Sequence, residues 1–306
     1  MPPCDDAGAG GKFRPEWRAR GGATVAWRRA LTSFGGKAFG ETMTLAFEDP
    51  IERADRAARV WQDQGGEPAR PGSARHKELF CRMLLDTHNP YKPAVIDWPV
   101  LAPAERDRLV SLPIWDIAVQ TEGKAGARVG AYAAGIGDPL LRQAVELNGF
   151  EERRHKVVLS NLVAAYGITL APEPPYPPPR DPEWAFMVTG YSECIDSFFA
   201  FGLFETARRS GFFPPELVAT FEPVMQEECR HILFFVNWAA WHRRNLPWWQ
   251  RPVFAARVLA VWAFLIWERL QTARDVGGGN NFTMTGHEAL GVDLDGVSGS
   301  GRAGRI

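Results

Sequence analysis

Cysteine is scarce in this chain. Four residues in 306 (Cys4, Cys81, Cys194 and Cys229) stand far apart and form no Cys-x-x-Cys pair. That spacing excludes a disulfide-stapled scaffold and a zinc ribbon. Excess charge is lacking too: 35 basic against 36 acidic residues leave a net charge of -1, so no basic surplus invites nucleic acid. No apolar run reaches the ~18 residues of a membrane span. The start of the chain, acidic and then Gly-rich, lacks the apolar stretch of a secretory leader. The expectation is a protein of the reducing cytoplasm.

What is present is helical periodicity, concentrated in one part of the chain. Residues 1–75 are rich in Gly and Arg with short apolar runs, and predict a poorly ordered N-terminal region. The tail at 276–306, opening on a Gly/Asn run, predicts a flexible end. Residues 76–275 form the predicted helical domain, with long 3.6-residue patterns from 104 onward. Helix A is expected at 104–135, with Pro113 ending or kinking its first turns. Asp138-Pro139 opens helix B, which runs to about 167, and Asp181-Pro182 opens helix C, which runs to about 210. Pro214-Pro215-Glu216 opens helix D, kinked at Pro223 and reaching about Arg244. Helix E follows Trp248-Trp249 and extends to about Arg274.

Between B and C lies Pro172-Glu173-Pro174-Pro175-Tyr176-Pro177-Pro178-Pro179-Arg180. Such a run favours polyproline II at ~3.1 Å per residue, so residues 168–181 reach roughly 43 Å. A 30-residue helix is about 45 Å long. The linker is sized to carry the chain back along the length of a helix, although a Pro-rich surface loop has the same composition.

Two of the six histidines have glutamate three residues earlier, in Glu152-Arg153-Arg154-His155 and Glu228-Cys229-Arg230-His231. With 21 glutamates in 306 residues, fewer than one such pair is expected by chance. Each pair falls midway along a predicted helix, where residues i and i+3 share a face. The preceding helices carry lone glutamates on faces that are otherwise apolar or small. Glu122 of helix A lies in line with Trp115, Val119 and Val129. Glu193 of helix C lies in line with Phe186, Gly190 and Ser197. Heights also agree: the midpoint of Glu122 and Glu152 falls in the A–B turn, and that of Glu193 and Glu228 in the C–D turn.

The order Glu, ExxH, Glu, ExxH on four helices resembles the ferritin-like di-iron carboxylate proteins, over residues 104–245. The resemblance implies an all-α, ferritin-like four-helix bundle with a long Pro-rich B–C crossover and an additional C-terminal helix. It implies two iron ions (Fe/Fe, with Mn/Fe as the alternative) held by Glu122, Glu152, His155, Glu193, Glu228 and His231. Glu122 and His155 would serve one ion, Glu193 and His231 the other, with Glu152 and Glu228 bridging. Charge balance agrees, because four buried carboxylates without partners cost several kcal/mol each, whereas two divalent ions neutralise them.

Other polar residues are assigned lesser roles. Glu151 and Glu227 sit one step, about 100°, around their helices from the ligands and are expected outside the site. Asp196, at i+3 from Glu193, is a candidate hydrogen-bond partner for a ligand histidine. Tyr132, Tyr166 and Tyr191 are expected to be core tyrosines, and Cys194 and Cys229 ordinary buried cysteines. His76, His88, His242 and His287 lack partners at ligand spacing and are expected away from the centre.

The expected function is O2 activation by an oxidoreductase or oxygenase acting on a small apolar organic substrate, served by an unidentified electron donor. Gly190, Ala200 and Gly202 among Phe198, Phe199, Phe201 and Phe204 are expected to leave a pocket beside Glu193. The ligand pattern is similar to that of fatty-aldehyde deformylating oxygenases. It departs from arylamine N-oxygenases, since no histidine occurs between 182 and 211. A rubrerythrin- or ferritin-like handling of peroxide or iron is the alternative, although a rubrerythrin would usually carry a Cys-x-x-Cys pair. A third reading is a bundle that uses metal only as a staple. Residues 248–269, apolar and flanked by Trp and Arg, are expected to pack on the bundle, form a homodimer contact, or touch a membrane surface.

Overall fold

The computed structural model describes residues 50–63, 68–112, 114–211 and 213–276. The flexible tail expected at 276–306 and most of the N-terminal region expected at 1–75 lie outside them, as does His287. Among the described residues the chain is all-α, without strands. The helices are α1 (Pro50–Val60), α2 (Ala74–Asp86), α3 (Pro103–Ser111), α4 (Trp115–Ala134), α5 (Pro139–Ala165), α6 (Pro182–Ser210), α7 (Pro215–Ala219), α8 (Glu222–Asn245) and α9 (Arg251–Val276).

The start signals read in the sequence work as caps. The Asp138 carboxylate accepts from the Leu141 N–H at 2.9 Å, and Asp181 accepts from the Trp184 N–H at 2.9 Å. Each satisfies one of the donors that a helix N-terminus leaves unpaired. Gly211 ends α6 at φ +65°, a left-handed conformation that suits glycine. Helix A, expected to be ended or kinked at Pro113, and helix D, expected to be kinked at Pro223, are each broken in two. Proline offers no N–H to the carbonyl four residues back. The chain therefore stops at Ala219 and restarts at Glu222, where Pro223 occupies the first turn of α8. Helix A divides likewise into α3 and α4. Sequence reading did not mark α2 or α1. Ser73 caps α2 by accepting from the His76 N–H at 3.0 Å.

Helix α4 packs against α5 and α6, α8 against α6 and α2, and α2 also against α5; α9 covers α6. The Pro-rich connection follows α4 from end to end. The Ala171 N–H donates to Asp116 at 2.8 Å. Tyr176 lies over Gly123, where an added Cβ would stand 2.6 Å from its ring. Pro179, Arg180 and Asp181 then line a cleft with Arg128. The connection thus returns the chain to the end of α4 near its turn into α5, so α6 runs in the same direction as α5.

Two of the interior's apolar clusters flank the candidate site. One gathers Val129, Ala133, Leu141, Val145, Phe186, Phe235 and Trp238. The other gathers Leu109, Trp115, Val119, Leu162, Tyr166 and Leu217. Along α4 and α5 these residues lie on either side of Glu122, Glu152 and His155. The polar residues form a layer between two dry ones.

Candidate metal centre

The structure brings all six sequence-selected residues into that layer. Glu122, Glu152, His155 and Glu228 each offer one ligand atom, all within 4.8 Å of one another. Glu152, Glu193 and His231 form a second such group. Glu152 belongs to both groups, as a bridging residue would. Glu228 joins the first group alone in this arrangement, with Oε1 3.0 Å from His155 Nδ1. Glu122 Oε2 lies 3.6 Å from the same nitrogen, and Glu152 Oε1 lies 2.8 Å from His231 Nδ1.

These contacts lack hydrogen-bond alignment. Glu152 Oε1 and Nδ1 of both histidines are buried without a hydrogen-bond partner. Buried polar atoms are normally satisfied, and leaving one unpaired costs about 1–3 kcal/mol. Three unpartnered atoms converging between carboxylates fit a cation site, where Glu152 Oε1 and the two Nδ1 atoms, once deprotonated, would bind together.

The opposite ring nitrogens are fully engaged, and here the structure corrects the sequence reading. Glu151 and Glu227 lie inside: they are 0% and 1% exposed. His231 Nε2 donates to Glu151 Oε2 at 2.8 Å, and His155 Nε2 donates to Glu227 Oε2 at 2.8 Å. Each glutamate serves the histidine of the other helix. A 100° step from the ligand position points at the neighbouring helix of a bundle, not at water, and a glutamate is long enough to cross that seam. With Nε2 donating outward, Nδ1 is the nitrogen turned inward, the one a metal-ligating imidazole would offer once a cation had displaced its proton.

Arginines complete the exchange. Arg154 donates to Glu227 Oε1 at 2.5 Å, and Arg230 donates to Glu151 Oε1 at 2.7 Å. Their remaining donors reach back to α2 and the loop after it: Arg154 to the Asn89 and Tyr91 carbonyls, Arg230 to the Leu84 carbonyl and Thr87 hydroxyl. The Tyr91 ring stacks 4.0 Å from the Arg154 guanidinium. His88, expected to stand apart, bonds Glu151 Oε1 through Nδ1 at 2.6 Å. The signal for these residues was present: both motifs read Glu-Glu-x-Arg-His, at 151–155 and 227–231.

Electrostatics follow from crowding four carboxylates away from water. Burial pushes the Glu122 carboxyl up to about 8, against the pull of His155. Burial and the neighbouring Glu152 and Glu228 raise Glu193 well above the usual range. Burial acts on Glu151 in the same direction, but His231, His88 and Arg230 overcome it and hold this carboxyl well below the ordinary value. Both histidines are raised well above theirs despite burial, because carboxylates surround them.

Other expectations fare differently: Cys194 is half-buried and Cys229 is exposed, where both were expected to be buried. Asp196 faces α9 and not a ligand, receiving hydrogen bonds from Ser192 and Arg269. His76 bonds Asn237 and His242 stacks on Trp238, both apart from the ligand groups. Gly190 leaves no space, for the Phe235 ring occupies it, 2.1 Å from where a Cβ would stand. Gly202 is exposed with open space beside it. The side chains of Phe198, Phe199 and Ala200 lie outside the described residues. Comparison with known proteins adds no relative: no family model, curated protein or solved structure matches the chain.

Proposed function

We propose that this chain is a ferritin-like di-iron carboxylate protein, and that its centre activates O2 to oxidise a small apolar organic molecule. The observation that carries this reading is the pair of ligand groups sharing Glu152, with inward-facing Nδ1 atoms that hydrogen-bond to nothing. Glu122, Glu152, His155 and Glu228 would hold one ion, and Glu152, Glu193 and His231 the other. An oxygen-rich set with two imidazoles suits iron or a manganese–iron pair better than thiolate-seeking metals. Four carboxylates against two divalent ions leave no net charge in the interior.

Such a pair of ions supplies reductive activation of O2. The protein's own contribution is positional. Glu151 and Glu227 fix the tautomer and ring orientation of the two histidines, while Arg154 and Arg230 supply counter-charge and tie the layer to α2. Access is unequal: Glu122 and Glu228 keep 19% and 14% of their side-chain surface exposed, whereas both histidines have none. Small molecules would enter from the carboxylate side.

Anaerobic loading with Fe(II), iron counting and a near-UV spectrum after air test the centre. O2 consumption across a panel of apolar aldehydes, alkanes and arenes then tests the substrate class. Failure to bind iron overturns the centre; iron that reacts with O2 without any stimulation by the panel overturns the organic substrate. One observation favours the second reading, a rubrerythrin- or ferritin-like handling of iron or peroxide: Phe235 fills the space that Gly190 was expected to leave for a substrate. Peroxide turnover without an organic co-substrate would select it.

A further inference from the structure

Helix α9 is turned inside out. From Pro252 to Leu270 it contains three charged residues, Arg257, Glu268 and Arg269, and all three are engaged along its inner edges. Arg257 donates to Asp181 at 2.8 Å. Arg269 donates to Ser192 at 2.6 Å and to Glu268 at 2.7 Å, and also bonds Asp196. Phe254, Val261 and Leu265 are buried beneath the helix. Outward, Val253, Leu259, Ile266, Trp267 and Leu270 are all more than half exposed. Their spacing makes one stripe over residues 253–270, about 27 Å of helix, and that stretch of the stripe carries no charge.

The stripe continues into a cationic corner. Trp248 and Trp249, 76% and 59% exposed, meet edge to face where α8 turns into α9. Arg243, Arg244 and Arg251 line one hollow beside them. Arg244 and Arg251 hydrogen-bond to backbone carbonyls, and none of the three has a carboxylate within ion-pair distance among the described residues. Aromatic side chains beside arginines are what an interface between headgroups and acyl chains accommodates.

We propose that the outward face of α9 docks on an anionic lipid bilayer, the helix lying in the membrane plane with Trp248 and Trp249 among the headgroups. No described helix is long and apolar enough to cross a membrane, which restricts the contact to the surface. Charge complementarity selects lipid over a second copy of the chain. A second α9 would bring the same arginines, and the acidic groups beside it, Asp181, Asp196 and Glu268, are already paired. Anionic phosphates supply the missing partner, at a gain that falls with salt. The inference goes beyond the proposed function and stands whether or not iron binds.

The test is co-sedimentation of the full chain with vesicles of phosphatidylcholine, with and without phosphatidylglycerol, at low and high salt. Binding is expected to need the anionic lipid and to weaken with salt, and tryptophan fluorescence should be quenched by brominated acyl chains. Leu259→Glu with Ile266→Glu, and separately Arg243→Glu with Arg251→Glu, should each lower partitioning by at least about tenfold. These positions are exposed, and unchanged thermal melting would show that the variants fold. Wild-type chain that ignores anionic vesicles at low salt overturns the proposal. Binding that survives both variant pairs overturns it as well. A concentration-dependent dimer that the Leu259/Ile266 variant dissolves, with no vesicle binding, would assign the face to a second copy.

Discussion

Glu227 of α8 accepts the Nε2 proton of His155 of α5 at 2.8 Å, so each ligand histidine is held by the helix that does not carry it. Removing this carboxylate takes the closer counter-charge from Arg154, 4% exposed, and leaves it the longer pair to Glu151 at 3.6 Å. Glu227→Ala is therefore expected to destabilise the fold by about 3–5 kcal/mol, as for breaking one side of a buried ion pair. Glu227→Gln keeps an acceptor and should fold, while metal affinity falls by about 10- to 100-fold. Chemical denaturation and metal titration of the two variants check this. A Glu227→Gln chain with wild-type affinity would remove the orienting role.

Stoichiometry separates the two ligand groups. Glu152→Ala strikes both and should abolish most iron binding. Glu193→Ala strikes one, and about one ion per chain should remain. Elemental analysis after anaerobic Fe(II) loading and desalting distinguishes the outcomes. Equal iron in both variants would contradict the shared position of Glu152.

Metal uptake should depend on pH in a defined direction. In the ion-free chain Glu122 holds its proton up to about 8, because burial raises its carboxyl, and Glu193 is also raised well above the usual range. A cation needs these groups ionised, so binding must expel their protons. Affinity is expected to rise with pH through neutrality, because Glu122, Glu193 and both ligand histidines must all give up protons, with proton release during titration in weak buffer. Calorimetry in buffers of different ionisation enthalpy measures that release. Affinity independent of pH between 6 and 8 would contradict the raised carboxyls.

Gly190 predicts a packing defect. A methyl group there meets the Phe235 ring at 2.1 Å, and that ring is wedged among Phe186, Tyr191 and Trp238. Gly190→Ala is expected to cost roughly 1–3 kcal/mol through overpacking, outweighing the ~1 kcal/mol that alanine gains in a helix. A melting temperature at or above wild type would show that Phe235 moves freely.

Legibility divides along physical lines. Helices α5 and α6 were readable within a residue or two, because an Asp-Pro start is a local chemical event and leaves a local mark. The six inward polar residues were readable because charge on an apolar face violates the pattern around it. Glu151 and Glu227 obeyed the same pattern as surface glutamates. Their burial depends on which helix lies alongside, a fact that one helix considered alone does not contain. His88 was hidden for a related reason: it sits on a loop, where periodicity carries no information, and reaches Glu151 across 63 positions of chain. Gly190 misled because a missing side chain signals space without saying whether a neighbour has already taken it.

The Pro-rich connection along α4 gives the molecule a natural seam. It is the sole covalent link between a piece ending at α5 and a piece beginning at α6, and Tyr176 and Asp116 fasten it to the first of these. Each piece owns a histidine, and each owns the carboxylate that the other's histidine needs. Cut at that seam, the halves would be incomplete in complementary ways, like two keys that each carry the other's bit. The crossed histidine–glutamate bonds thus exist only when both pieces are together.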